Sequence, residues 1–101
     1  MIVIRWQAPN LPSKEQVKMI FQAEGLEPQE EIYQNSSRVE RHKHPFDEVR
    51  MVISGQMFFN VSGNRLLLRS GDRIIIPANT KHETYLEGDG PCQSIYAERV
   101  F

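Results

Sequence analysis

The sequence predicts a single, mostly β domain with one helix near its N-terminus. Its 101 residues suit one domain of ordinary size. Turn signals containing Ser-Gly recur every eight residues, at 54–56, 62–64 and 70–72, and they separate the apolar runs EVRMVI, MFFNV, RLLLR and RIIIP. Short strands at such regular spacing are typical of an antiparallel meander in a sandwich or barrel.

The elements before this meander are a short strand and the helix. Residues 2–6 include several β-branched side chains, which favour a strand. Ser13 then suits a helix N-cap, Gln16 is its capping-box partner three residues later, and Gly25 is a natural stop. The apolar face of this helix contains Val17, Ile20 and Phe21. We expect the helix to cover an open strand edge.

The acidic stretch EPQEE is expected to be a loop, and strands are expected from Ile32 onward. The sequence is therefore divided into residues 1–30, which pack on the barrel, and residues 31–101, which form it. In the last run of the meander, Ile74, Ile75 and Ile76 are consecutive, so both faces of that strand must be covered. Another sheet, the helix or a second subunit would cover the outer face, and we predict a homodimer from this.

The charge pattern gives no sign of a nucleic-acid or membrane partner. The net charge is −1 and the basic residues are scattered along the chain. The N-terminal apolar run breaks at Arg5, too early for a signal sequence or a membrane span. The single cysteine, Cys92, cannot form an internal disulfide and is expected to be a small buried residue. We predict a cytoplasmic protein.

The three histidines are the strongest functional signal. His42 and His44 lie two residues apart, which puts both imidazoles on one face of an extended strand. Glu48 follows at an even offset and would share that face if the chain stays extended or bulges. His82 would be brought to them by a strand that pairs or faces this one. Three imidazoles and a carboxylate suit one divalent transition metal (Fe, Mn, Ni, Co or Zn) and leave positions open for water or substrate.

The spacing of these residues resembles the two motifs of the cupin superfamily. The segment HKHPFDE followed six residues later by Gly55 is similar to the first motif, and GDRIIIPANTKH is similar to the second. The resemblance implies a small single-domain cupin: a jelly-roll, or double-stranded β-helix, barrel. It also implies that the metal ligands are His42, His44, Glu48 and His82. The chain departs from the family pattern at three positions, where it has Ser36, Asn79 and Leu86. Asn tolerates the left-handed conformation that the usual glycine adopts, so we expect the turn at Asn79 to survive.

A local resemblance to acireductone dioxygenases extends over HKHPFDEVRMVISGQMFFNV and includes Arg50, two residues after Glu48. Arg50 is accordingly a candidate catalytic residue. If it points inward, it needs an anionic substrate or a structural carboxylate as its partner, and the alternative is a surface arginine. Tyr85 and Tyr96 are candidate proton donors or wall residues. Phe46, Phe58 and Phe59 are expected in the core.

Three functions follow from this reading. A metal-dependent, dioxygenase-like enzyme acting on a small oxygen-rich molecule is favoured. The alternatives are a metal-dependent sugar isomerase or epimerase, and a non-catalytic barrel that binds or senses a small molecule, because one fold serves many functions.

Overall fold

The computed structural model describes residues 1–34, 37–87 and 90–100, and these form two antiparallel sheets with one helix outside them. The helix, α1, is Lys14–Ala23. The strands are β1 (Ile2–Ile4), β2 (Gln29–Tyr33), β3 (Arg38–His42), β4 (Asp47–Ser54), β5 (Gln56–Val61), β6 (Asn64–Arg69), β7 (Arg73–Ile76), β8 (His82–Tyr85) and β9 (Cys92–Arg99).

The strand order is that of a jelly-roll barrel, as predicted. The larger sheet has the order β1-β7-β4-β9-β2, and the smaller has the order β3-β8-β5-β6. The predicted meander is wrong, however. Among its four strands, β5 and β6 are the only two that follow each other in the sequence and also pair. The turns at 54–56 and 70–72 carry the chain from one sheet to the other. Regular turn spacing shows where strands end, but it does not determine which strands pair.

Both of these crossings depend on a glycine. Gly55 and Gly71 have φ angles of 78° and 89°, which only glycine adopts without strain. A β-carbon on Gly55 would also collide with the carbonyl of Pro91, and one on Gly71 would lie 2.6 Å from Cβ of Trp6. The chain can therefore cross between the sheets this tightly only where a side chain is absent.

The space between the sheets is filled by apolar side chains from both. The larger sheet contributes Val52, Ile74, Ile76 and Cys92, and the smaller contributes Met57, Phe59, Val61 and Leu68. Leu86, which replaces the usual asparagine, also packs here. On β4 and β9 the inward positions change to polar residues at Glu48, Arg50 and Ser94. This change of lining locates the candidate site.

Helix α1 covers the outer face of the larger sheet. Ser13 caps it through the predicted capping box with Gln16. Val17 and Phe21 pack on the outward residues Val49, Met51, Ile75, Ile95 and Ala97. The predicted position at a strand edge is wrong, because the helix lies over a face. This face carries Ile75, which is only 8% exposed.

The outer face that suggested a second subunit is thus covered within one chain, and the homodimer stays a prediction. The expected EPQEE loop is wrong from Gln29 on, since β2 begins there and pairs with β9. The acidic residues of β2 are weak strand formers, and pairing with a neighbouring strand outweighs that preference.

Candidate metal centre

Four side chains converge at the polar end of the interior: His42, His44, Glu48 and His82. One ligand atom from each lies within 4.8 Å of all the others. His42 ends β3 and pairs directly with His82, the first residue of β8. Glu48 lies on β4 in the other sheet. The fold therefore brings together the four predicted ligands, of which His82 lies far from the other three in the sequence.

Glu48 joins the three histidines, but not from the same strand face as the sequence predicted. It bends at Pro45 and Phe46 and crosses from the smaller to the larger sheet. Glu48 therefore does not share a strand face with His42 and His44, but faces the histidines from the opposite sheet. Its Oε1 lies 3.4 Å from Nε2 of His44 and 3.7 Å from Nε2 of His82.

Backbone carbonyls orient two of the imidazoles. Nδ1 of His42 lies 2.7 Å from the carbonyl oxygen of Glu40, and Nδ1 of His82 lies 2.9 Å from that of Thr80. A ring nitrogen that faces a carbonyl carries the proton, so the other nitrogen, Nε2, has a free lone pair. Both Nε2 atoms belong to the four-residue cluster, as metal coordination requires.

The donor atoms also fit a divalent metal in number, type and spacing. Nε2 of His42 and Nε2 of His44 are 3.0 Å apart. Two ligands at right angles, each about 2.1 Å from one metal ion, are about 3.0 Å apart. Nε2 of His82 is buried without a hydrogen-bond partner in the described part of the chain. Such a buried nitrogen is costly unless something binds it.

Two backbone contacts hold the loops that carry the histidines. The N–H of Asn79 donates to the carbonyl of His44 over 2.7 Å. Asn79 has a φ of 62°, so the predicted left-handed turn is confirmed. The Asp47 carboxylate accepts from the N–H of Ala78 at 2.8 Å and also pairs with Arg99. Asp47 was missed in the sequence, although it directly precedes Glu48.

The pKa shifts of Glu48 and His44 favour their metal-binding forms, whereas for His82 burial lowers the pKa but Glu48 and the Thr80 carbonyl outweigh this and raise it. Burial raises the pKa of Glu48, but the neighbouring His82 ring and the Arg50 guanidinium more than offset this and lower it to about 2. Glu48 is therefore ionised although it is only 7% exposed. Burial lowers the pKa of His44, which favours the neutral, metal-binding form of its ring.

Arg50 points inward, and its partners are carboxylates of the chain itself. Its Nε donates to Glu48 at 3.1 Å, and its Nη1 donates to Glu31 and to Ser94, each at 2.7 Å. The guanidinium also lies over the Tyr96 ring, 4.6 Å from its centroid. The surface alternative is wrong, since Arg50 is 4% exposed. Glu31 was missed because it lies in the stretch expected to be a loop.

A cleft of about 220 Å³ opens over this group. Its lining comprises Glu31, His42, His44, Phe46, Glu48, Arg50, Tyr96 and Glu98. A larger cleft of about 580 Å³, near Arg41 and Lys81, contains none of the four clustered side chains. Converging donor atoms, rather than volume, identify the smaller cleft as the candidate site.

The remaining aromatic candidates divide between the cleft and other surfaces. Tyr96 lines the cleft, whereas Tyr85 stacks on Phe58 on the outer face of the smaller sheet. Phe59 is in the core as expected, but the prediction for Phe58 is wrong, since alternate residues of β5 face outward. Phe46 stacks on His44 beside the cleft.

Two further expectations concern Cys92 and Ser36. Cys92 is buried as predicted, and burial raises its pKa to about 11, so the thiol stays protonated at neutral pH. Ser36 lies outside the described residues. In the part of the chain that the structure describes, no helix is long and apolar enough to cross a bilayer.

Curated relatives with sequence similarity are acireductone dioxygenases. That of Bacillus licheniformis is 36% identical over 67 residues, which cover 61% of this chain and 36% of the relative. That of Dictyostelium discoideum is 29% identical over 94 residues, covering 88% of this chain and 58% of the relative. The chain thus spans about a third to three fifths of the length of these two proteins.

Solved structures share the fold at low sequence identity. A cupin protein from Bacteroides fragilis superposes with a TM-score of 0.65 at 21% identity, covering 73% of this chain and 64% of that one. A predicted oxalate decarboxylase from Thermotoga maritima superposes with a TM-score of 0.69 at 14% identity, covering 98% of this chain and 79% of that one.

The sequence profile of the cupin domain family matches residues 29–97, which is more than half of the chain. This range includes both motifs and all four clustered side chains. The chain belongs to the cupin family.

Proposed function

We propose that this cupin holds one divalent transition metal with His42, His44, Glu48 and His82. The convergence of their four ligand atoms within 4.8 Å is the observation that carries the proposal. The buried, unpartnered Nε2 of His82 supports it, because a metal ion would satisfy this nitrogen. Four protein ligands leave up to two positions open in an octahedral site.

We further propose a dioxygenase-like reaction on a small, oxygen-rich molecule. A metal in this site, such as Fe(II), supplies Lewis acidity and a route for the reaction of dioxygen. The support is the similarity to acireductone dioxygenases across both halves of the ligand set. The cleft of about 220 Å³ suits a substrate of few atoms.

The chain's own residues have distinct roles in this proposal. Glu48 supplies the negative charge that balances the metal, and Arg50 holds Glu48 in place through its Nε. Tyr96 lines the cleft, and in this proposal its hydroxyl transfers a proton. Direct contact between Arg50 and substrate stays a prediction, and its three hydrogen-bond acceptors within the chain favour the positioning role.

Metal content tests the first proposal. Untagged protein purified without chelators is analysed by elemental mass spectrometry beside the variants His82→Ala and Lys81→Ala. Lys81 is the exposed neighbour of His82 and lies outside the four-residue cluster, so it serves as the matched control. We expect about one Fe, Mn, Ni or Co per chain in the wild type and the control, and a loss in His82→Ala. No metal in any of them, and no uptake on addition, would refute the site.

Oxygen uptake tests the second. Protein loaded with Fe(II), Mn(II) or Ni(II) is supplied with enediols, flavonols and thiols in an oxygen electrode. We expect uptake with at least one enediol, lost in His82→Ala. Binding without turnover across the whole panel would instead favour a sensor, and Zn(II) as the native metal would favour an isomerase.

A further inference from the structure

We propose that the cleft selects an uncharged, hydroxyl-bearing substrate and disfavours anions, and that Glu98 determines this specificity. The proposal rests on the metal site described above and adds the class of its substrate. It follows from three features of the cleft: the pairing of its cation with groups of the chain itself, the placement of Glu98, and the sum of its charges.

The cation of the cleft is already neutralised. Arg50 donates to the Glu48 and Glu31 carboxylates and to Ser94. Its guanidinium face lies against the Tyr96 ring. A substrate carboxylate or phosphate would have to compete with these partners for the guanidinium, and two of them, Glu48 and Ser94, are buried.

Glu98 adds a carboxylate beside the ligand Glu48. The two residues lie directly opposite each other on the neighbouring strands β4 and β9, and both line the cleft. Within the described residues, the side-chain carboxylate of Glu98 has no hydrogen-bond or ion-pair partner. Like charges opposite each other repel, so this arrangement favours a hydrogen-bond donor in the cleft. Hydroxyl groups of a substrate are such donors.

The net charge of the residues that line the cleft disfavours anions. Three carboxylates, those of Glu31, Glu48 and Glu98, face one guanidinium, that of Arg50. Imidazoles that coordinate a metal carry no charge, so a bound divalent metal brings the cleft to zero net charge. With no positive charge in excess, the exposed carboxylate of Glu98 repels an incoming anion.

Ligand binding to the cobalt-loaded protein tests this without turnover. The absorption spectrum of Co(II) is titrated with azide, an anion, and with imidazole at pH 8, where it is neutral. The proteins are the wild type, Glu98→Gln, and Glu15→Gln as a control that removes one exposed charge from helix α1. Glutamine keeps the size of the side chain and removes its charge.

We expect Glu98→Gln to bind azide about tenfold more tightly, because one nearby partly screened charge is lost. Imidazole affinity should change less than twofold, and Glu15→Gln should match the wild type. Equal azide affinity in the wild type and Glu98→Gln would overturn the proposal, as would equal gains for both ligands or a spectrum that neither ligand perturbs. Failure to take up cobalt would instead refute the metal site itself.

Discussion

A buried guanidinium is stable in a protein interior only when acceptors pair with it, and Arg50 has three of them. Its acceptors come from three strands, with Glu48 on β4, Glu31 on β2 and Ser94 on β9. The same contacts fix the carboxylate of Glu48 next to the histidines. Arg50 therefore links the larger sheet to the geometry of the metal centre.

Replacing Arg50 by methionine tests this link. Arg50→Met keeps most of the side-chain volume but leaves the buried Glu48 carboxylate without its cation. Removal of one partner from a buried ion pair costs about 3–5 kcal/mol. We expect the free energy of unfolding of the metal-free protein, measured in urea, to fall by that amount.

Arg65→Met is the matched control for this change. Arg65 pairs with Glu87 on the surface, where both side chains are more than half exposed. Surface ion pairs contribute about 0–1 kcal/mol, so the control should lose no more than that. Equal losses in the two variants would mean that Arg50 contributes only as a surface charge does.

Among single residues, chemistry and spacing made the convergence of the four clustered side chains predictable, whereas the residues that support them were not predictable. Histidines two residues apart are rare enough to identify a site, and the cupin motifs tied them to His82. Glu31 is one acidic residue among several, Glu98 stands alone beside Arg99, and only the pairing of β2, β9 and β4 brings them to the cleft. No local pattern carries that information.

At the scale of elements, the segment before α1 is fastened to the turn between β6 and β7. Trp6 packs over Gly71, and the backbone N–H of Trp6 donates to the Asp72 carboxylate. That carboxylate also accepts from the N–H of Arg69 and from Arg5. One turn thus organises the edge of the larger sheet, where β1 pairs with β7.

Two glycine variants measure the tight packing at this turn. Gly71 and Gly63 have similar φ angles, 89° and 86°, so alanine is equally strained at both, by about 1–2 kcal/mol. A β-carbon at Gly63 meets nothing within 4 Å, whereas at Gly71 it would lie 2.6 Å from Trp6. We expect Gly71→Ala to be less stable than Gly63→Ala by about 1–3 kcal/mol, measured by thermal unfolding. Equal stabilities would show that Trp6 moves away without cost.

The Asp72 carboxylate makes the same turn sensitive to acid. Burial raises the pKa of Asp72, but the hydrogen bonds from Arg69, Arg5 and Trp6 outweigh this and lower it below its ordinary value. A lowered folded-state pKa stabilises the protein above the unfolded-state pKa, which is about 4, and this stabilisation is lost as the pH falls through the folded-state value.

We therefore expect Asp72→Asn to be less stable than the wild type by about 1–3 kcal/mol at pH 7. The difference should shrink steadily below about pH 4. Urea unfolding at pH 7, 5, 4 and 3 measures it. A difference that stays constant down to pH 3 would mean that the carboxylate's charge plays no part.

The elements themselves differed in how far local patterns determined them. Helix α1 was predictable to its cap, because Ser13 and Gln16 are a local signal. The pairing of β4 with β7 and β9 was not, because it joins residues far apart in the sequence. Pairing of this kind depends on how both faces of a strand are buried, which the turn pattern does not encode.

On the scale of the whole molecule, the candidate metal centre draws its side chains from both sheets. His42 and His82 belong to the smaller sheet and Glu48 to the larger, while His44 lies on the connection between them. The outer face of the larger sheet is closed by α1, so the fold is covered on that side within one chain. Light scattering tests the predicted homodimer, and a monomer at micromolar concentration would refute it.

Because the ligands come from both sheets, a bound metal should stabilise the whole barrel rather than one hairpin. We expect Zn(II) at a hundred times its dissociation constant to raise the free energy of unfolding by about 2.7 kcal/mol. Amide hydrogen exchange should then slow by about a hundredfold in both sheets, since their slowest amides exchange through global unfolding. Strands β4 and β5 provide the amides to compare.

His82→Ala is the control, and it should show no slowing at the same zinc concentration. Loss of this ligand removes the donor that β8 contributes, so the variant is expected to lose the metal and with it the stabilisation of both sheets. Protection confined to residues 42–48 in the wild type would mean that the metal clips a loop. Protection of equal size in β4 and β5 would mean that it acts as a cross-link between the sheets, as the positions of its ligands predict.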